Sequence, residues 1–250
     1  MLPSIQQHCA EIERCNQRGG RMLSIFDLLE ARTLDLDLAA YLMAEVARGA
    51  SFMVGARPGG AGKTTVMGAL LNLLPSDVPL AAATAEAARA ARRERAKGRR
   101  CYICHEIGRG SYFAYLWGGA LRNYCALQDA GHILATNLHA DDLDEAHDQV
   151  CGDSGVPESH FNGFRLLVFL RVKGGHWNAQ RHIEKVYAAD GSGPHRCVFT
   201  ARNGLATPHL IDTAWLASCR RFLEAHYEDG VRTIEQTRER VVAFLAESGE

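Results

Sequence analysis

The chain lacks the features that direct a protein into or across a membrane. No uninterrupted apolar run approaches about 18 residues. The opening Met-Leu-Pro-Ser-Ile-Gln-Gln-His has neither the basic nor the apolar region of a signal peptide, so a cytoplasmic location is expected. Neither sign of charge is in excess. With a formal net charge of −1, nucleic acid or an anionic membrane would have to be met by a local patch, and no specific nucleic-acid signal is present. Lysine is scarce, with only Lys63, Lys97, Lys173 and Lys185 among 28 basic residues. Without an export signal the eight cysteines read as reduced thiols rather than a disulfide framework. Cys101-Tyr-Ile-Cys104-His105 matches the Cys-x2-Cys-His form of haem attachment and offers metal ligands. No second Cys-x2-Cys completes a zinc site, however, and Tyr102 and Ile103 fit a strand better.

What is present is concentrated in eleven residues, Gly55-Ala-Arg-Pro-Gly-Gly-Ala-Gly-Lys63-Thr64-Thr65. An apolar run ending at Val54 precedes them and a helix-forming run from Val66 to Leu74 follows, which is the strand, loop, helix order of a phosphate-binding loop. Glycines let successive N–H groups face one anion, and the helix N-terminus adds the positive end of its dipole. Pro58, Gly59, Gly60, Ala61, Gly62, Lys63, Thr64 and Thr65 are the expected nucleotide-binding residues. Lys63 reaches the β and γ phosphates and Thr64 ligates Mg²⁺. One of only four lysines sits where a compact ammonium is required. Arg57 departs from the strict pattern, which has glycine there; if the position demands φ > 0, a side chain costs about 1 kcal/mol.

At 250 residues the chain can bury one substantial core. Periodicity suggests helices over residues 25–31 and 36–48, and over the basic, alanine-rich 86–100. Strands are expected over 101–106, 132–139, 165–172, 181–187 and 195–200, with 80–85 readable as strand or helix and 112–129 as helix. Strands alternate with helices in the first two thirds, which argues for a largely parallel sheet, whereas the last strands are joined by turns and read as an antiparallel extension. Two amphipathic helices end the chain, the second opened by Thr233-Ile-Glu-Gln236 as a capping box.

A second constellation, Gly131-His132-Ile-Leu-Ala-Thr136-Asn-Leu-His139-Ala140-Asp141-Asp142, puts polar groups at the C-terminal end of an apolar strand, where α/β sheets place ligand chemistry. Taken alone, each histidine reads as a packing or surface residue. Together with the loop, the stretch resembles the histidine box of the ATPases that power type II secretion, type IV pili and type IV secretion. Arg57-Pro-Gly-Gly-Ala-Gly-Lys-Thr-Thr65 is similar to that family's Gly-Pro-Thr-Gly-Ser-Gly-Lys-Thr-Thr loop. Residues 22–200 carry the resemblance. Thr84-Ala-Glu86-Ala87 fits the family's acidic box with its aspartate missing. One alignment makes Cys101-Tyr-Ile-Cys-His-Glu106-Ile-Gly its Walker B strand, as it would be if that strand lay directly beside the loop strand. Another matches Glu106-Ile-Gly108, Phe113 and Ala120-Leu-Arg122 to an earlier stretch of the family and leaves no Walker B strand.

The resemblance implies an α/β, RecA-like P-loop NTPase core over residues 22–206, between a polar N-terminal tail (1–21) and a C-terminal helical extension (207–250). It implies ATP and Mg²⁺ as cofactors and a homo-oligomer, hexameric in the family, at a membrane secretion or pilus machine, hence peripheral at the inner face of the membrane through partners. Lys63, Glu86, Glu106, His132 and His139 become the candidate catalytic and sensing residues. Arg122, or an arginine within residues 92–100, is the candidate donated across a subunit interface. The expected activity is Mg-dependent ATP hydrolysis coupled to macromolecular transport or assembly. Two alternatives stand beside it: a nucleotide-binding regulator or partner subunit without turnover, and a small-molecule kinase using residues 89–100 as a phosphate-binding lid.

Overall fold

Backbone hydrogen bonds in the computed structural model join nine strands into one sheet, and the order of those strands decides which polar groups meet. The structure describes residues 4–16, 19–57, 59–93, 98–174, 179–191, 193–206 and 212–249. Three helices come first, α1 (Ile5–Arg14), α2 (Ile25–Glu30) and α3 (Leu36–Ala47). Then β1 (Phe52–Gly55) leads into α4 (Lys63–Leu71), and β2 (Leu80–Ala82) into α5 (Ala85–Arg93). After β3 (Cys101–Ile107) and the short β4 (Tyr115–Leu116) comes α6 (Gly118–Cys125); β5 (Ile133–Leu138) is followed by α7 (Leu143–His147) and α8 (Glu158–Asn162). Strands β6 (Leu166–Lys173), β7 (Gln180–Ala188), β8 (Arg196–Thr200) and β9 (Gly204–Leu205) precede α9 (Thr213–Glu228) and α10 (Ile234–Ser248).

The sheet order is β2-β3-β5-β1-β6-β7-β8-β9, with β4 taking up the other half of the β3 edge beside β2. Pairing is parallel from β2 to β6 and antiparallel from β6 to β9. This is the mainly parallel α/β sheet, antiparallel extension and pair of C-terminal helices expected from the alternation of patterns. Residues of β1, β3 and β5 are buried throughout because helices cover both faces, which explains their continuous apolar runs. Cys101 packs into the core on one face of the sheet and Cys104 into the core on the other. The Cys-x2-Cys pair therefore points in opposite directions and shares no ligand.

Within residues 1–21, whose polar sequence reads as a short helix or a tail, Ile5–Arg14 form α1. Its charged residues face outward while His8, Cys9 and Ile12 are buried in the core that also takes Leu223, Val241 and Leu245 of the last two helices. Ser4 and Gln7 form a capping box at its start, and the one expected at Thr233 and Gln236 opens α10. The stretch 112–129 is not one helix. Ala114 and Gly118 adopt positive φ and break it into β4 and α6.

Arg238 of α10 is 2% exposed and lies across the C-terminal end of α4. It donates from Nη1 to Asn72 O (3.2 Å) and Leu74 O (2.5 Å), and from Nη2 to Pro75 O (3.1 Å). A helix C-terminus leaves carbonyls without partners and carries the negative end of the dipole, so a buried guanidinium satisfies both. Burial lowers its pKa to about 10, which leaves it charged at neutral pH.

His8 packs nearby, and burial, reinforced by Arg238, holds its pKa down at about 3. A histidine held below its unfolded value near 6.5 contributes stability that is present above that value and lost as pH falls towards 3. His8→Leu should therefore flatten the fall in unfolding free energy between pH 6.5 and 5 by about 1–2 kcal/mol. Urea denaturation at a series of pH values reads this directly; an unchanged slope overturns the assignment.

Candidate functional site

Gly55 closes β1 against neighbours that leave no space for a side chain. A Cβ there would lie 2.7 Å from Ala140 O and 2.7 Å from the ring of Phe169. The loop then turns through Gly60 (φ 86°) and Gly62 (φ 96°), conformations that glycine adopts without strain. Gly62 is the N-cap of α4 and supplies no side-chain cap, so the first N–H groups of the helix face the loop. Lys63, Thr64 and Thr65 make up its first turn.

Lys63 is only 8% exposed, and its ammonium draws in three elements. Nζ donates to Ala56 O (3.2 Å), lies 3.5 Å from Glu106 Oε2 and approaches His139 Nδ1 at 3.4 Å. His139 Nε2 is 3.7 Å from the same carboxylate oxygen, and its Nδ1 is 3.1 Å from Arg57 O. Glu106 and His139 sit at the carboxyl ends of β3 and β5, and Lys63 follows the loop that leaves the carboxyl end of β1; the three are brought side by side because these strands are parallel. Between Cys104 and Ile107 the register of β3 against β5 shifts, an irregularity of the kind that re-aims side chains beside functional sites. Burial raises the pKa of Glu106 above the usual carboxylate range, opposed by Lys63 and then His139. Its Oε1 is buried without a hydrogen-bond partner among the described residues.

β3 is not the immediate neighbour of β1, since β5 lies between them. Direct adjacency, the condition set for treating Glu106 as a Walker B carboxylate, is absent, yet the side chain spans the intervening strand end to reach Lys63. The other candidate residues lie elsewhere in the fold. His132 precedes β5 at the end remote from the loop, about 20 Å away by strand rise; its Nδ1 accepts from Arg100 N (3.2 Å) and its ring stands edge-on to Tyr102. Glu86 faces solvent in the first turn of α5 and pairs with Arg89; the preceding strand β2 lies three strand spacings, about 14 Å, from β1. Arg122 donates to Ser154 O (2.6 Å) in a separate depression lined also by Arg92 and His160. Pro58 lies outside the described residues, as do residues 94–97 of the arginine-rich stretch.

Arg57 is not strained: among the described non-glycine residues only Arg32 and Ala114 have positive φ. Its N–H donates to Asp141 Oδ1 (2.8 Å), and its guanidinium donates from Nε to Glu145 Oε2 (2.9 Å) and from Nη2 to Glu145 Oε1. The arginine is turned away from the loop onto α7. Arg181 is a residue that sequence reasoning missed, having been read only as part of a strand. It donates from Nε to Gly60 O (2.8 Å) and lines, with Lys63, Glu106 and His139, a cavity of about 610 Å³ in front of the loop. Arg21 and Met22, from the segment between α1 and α2, line its other side, with Arg21 fixed by a bidentate pairing with Asp27 (2.8 and 2.5 Å).

No family model matches the chain, and no curated protein does. Among solved structures, the VirB11 ATPase from the Brucella suis type IV secretion system, in complex with sulphate, is similar at 20% identity and a TM-score of 0.46, over 66% of this chain and 54% of that one. The Legionella pneumophila ATPase DotB is similar at 14% identity and a TM-score of 0.43, over 86% of this chain and 57% of that one. The chain thus spans little more than half the length of either.

The close approach at Gly55 sets a stability test. Gly55→Ala should cost about 1–3 kcal/mol, because Ala140 O belongs to backbone and the Phe169 ring is buried in the core. Arg57→Ala removes only solvent-exposed pairing and should leave the denaturation midpoint almost unchanged. Chemical denaturation of both variants checks the pair, and a large loss for Arg57→Ala would restore the idea of a constrained first loop position.

Proposed function

We propose that the chain binds ATP on the loop of residues 59–65 and hydrolyses its terminal phosphate bond, as an ATPase resembling secretion and pilus motors. The convergence of Lys63, Glu106 and His139 at the mouth of the loop carries this reading. An anion entering the loop meets the N–H groups at the start of α4 and the ammonium of Lys63, which exchanges Ala56 O for phosphate oxygen. Glu106, held above the usual carboxylate range by burial, is suited to orient an attacking water and take its proton. His139, in contact with both Lys63 and Glu106, is placed to sense whether the terminal phosphate is present. Catalysis here is positioning and electrostatic stabilisation rather than covalent chemistry.

The residues fit a hydrated Mg²⁺. Thr64 offers a hydroxyl at the helix start, and Glu106 Oε1 is a buried oxygen without a hydrogen-bond partner among the described residues. When bound, the ion neutralises phosphate charge. Glu86 and His132 have no part in this scheme. Arg122, turned outward on α6 and away from the loop, is compatible with donation to a neighbouring subunit's nucleotide in a homo-oligomeric ring at a secretion or pilus machine.

Two observations favour a second reading, a nucleotide-binding regulator without turnover: Lys63 and Glu106 are paired with each other, and Arg57 is tied to Glu145 rather than to the loop. The kinase alternative is disfavoured because α5, which opens the arginine-rich segment, follows the edge strand β2 and does not line the cavity.

Phosphate release from Mg-ATP decides between the first two. Lys63→Ala and Glu106→Gln should each lower turnover by about 100-fold or more, as removal of a preorganised charge does. Glu86→Ala and His132→Ala should stay within about twofold of the parent chain. A parent chain that binds ATP yet releases phosphate no faster than Lys63→Ala would hand the function to the regulator reading.

A further inference from the structure

We infer that His147, Cys151 and Glu158 form a binding site for a zinc-type divalent transition-metal ion, separate from the nucleotide loop. One ligand atom from each lies within 4.8 Å of those of the other two, and among the described residues this is the group of histidine, cysteine and carboxylate side chains that converges in this way. The local backbone explains the convergence. His147 ends α7, and the chain continues as a π-helical turn, Asp148–Asp153, so that His147 and Cys151 lie one turn apart on a widened coil. Single π-turns recur at functional sites because they set side chains at spacings that an α-helix does not offer. Gly155, with φ of 66°, then reverses the chain, and Glu158 returns at the start of α8.

The donor chemistry selects the ion. An imidazole nitrogen, a thiolate sulfur and a carboxylate oxygen make up a mixed set suited to Zn²⁺, whereas Mg²⁺ and Ca²⁺ require oxygen throughout. His147 Nε2 already lies 2.5 Å from Glu158 Oε1, and an ion inserted between them would part the two atoms modestly while drawing in Cys151. The ring stands edge-on to the buried Phe161 at 5.4 Å, and its Nδ1 lies 3.9 Å from Asp148 Oδ1, beyond hydrogen-bond distance. Three protein ligands leave a fourth position for water, and the half-exposed ring and exposed carboxylate leave a path from solvent. On binding, the S–H bond of Cys151 breaks, a sulfur–metal bond forms and the proton passes to solvent, with no change of oxidation state.

The test uses the whole chain, dialysed against chelator, and needs no nucleotide. Zn²⁺ titrated against a chromophoric chelator should bind at one equivalent per chain, and Co²⁺ should give a thiolate-to-cobalt charge-transfer band. Cys151→Ser should abolish the band, and His147→Gln and Glu158→Gln should each weaken Zn²⁺ binding by at least about tenfold. Cys197→Ser, at an exposed thiol on β8, should change neither reading. Because Glu158 lies on the exposed side of its helix, its variant keeps the test valid if a change at His147 disturbs folding. Absence of competitive Zn²⁺ binding, or a cobalt band that survives Cys151→Ser, overturns the site.

Discussion

A buried ammonium has to be matched, and in this chain the matching of Lys63 by Glu106 organises everything around it. The lysine is fixed at the first turn of α4 by the loop glycines, so the carboxylate has to come to it. That is possible because β1, β5 and β3 run in parallel and end together, so one short strand end separates donor from acceptor. His139 fills the remaining angle. The arrangement is therefore a property of strand order, and the same residues on an antiparallel sheet would not meet.

Much of this was legible in the chain. The loop glycines, the polar end of β5 and the capping box at Thr233 are local signals, each carried by a few adjacent residues and a known backbone demand. The parallel sheet followed from alternating periodicities. What escaped was set by contacts distant in sequence. His132 and His139 flank β5 and are equally conspicuous, and only the end of the strand distinguishes them: His139 lies at the end beside the loop and His132 at the opposite end. Arg181 reaches Gly60 across more than a hundred residues, with no local pattern to mark it. Glu86 was singled out by the likeness of Thr84-Ala-Glu86-Ala87 to a family's acidic box, but it lies on α5, and β3 and β5 stand between the preceding strand β2 and β1.

The departure at Arg57 illustrates a more general point about motifs. A missing glycine suggests strain only if the backbone demands glycine at that position. Here the demand for small size falls on Gly55, through the carbonyl of Ala140, and the demand for left-handed φ falls on Gly60 and Gly62. Arg57 is left with ordinary geometry and becomes a tether, joined through Glu145 to the helix that follows the histidine strand. A position that looks like a defect in the motif thus connects two of its parts.

The guanidinium of Arg238 has a consequence for how the molecule is divided. α4 follows the glycine-rich loop at its front end and is closed at its rear by a residue from α10, so its two ends are finished by segments more than 160 residues apart. In this way α10 backs the helix that carries Lys63. A chain shortened before α10 would leave the carbonyls of Asn72 and Leu74 without this partner, Pro75 O keeping the N–H of Val78, and would fray α4 from behind, loosening Lys63 without altering a single atom in front of it.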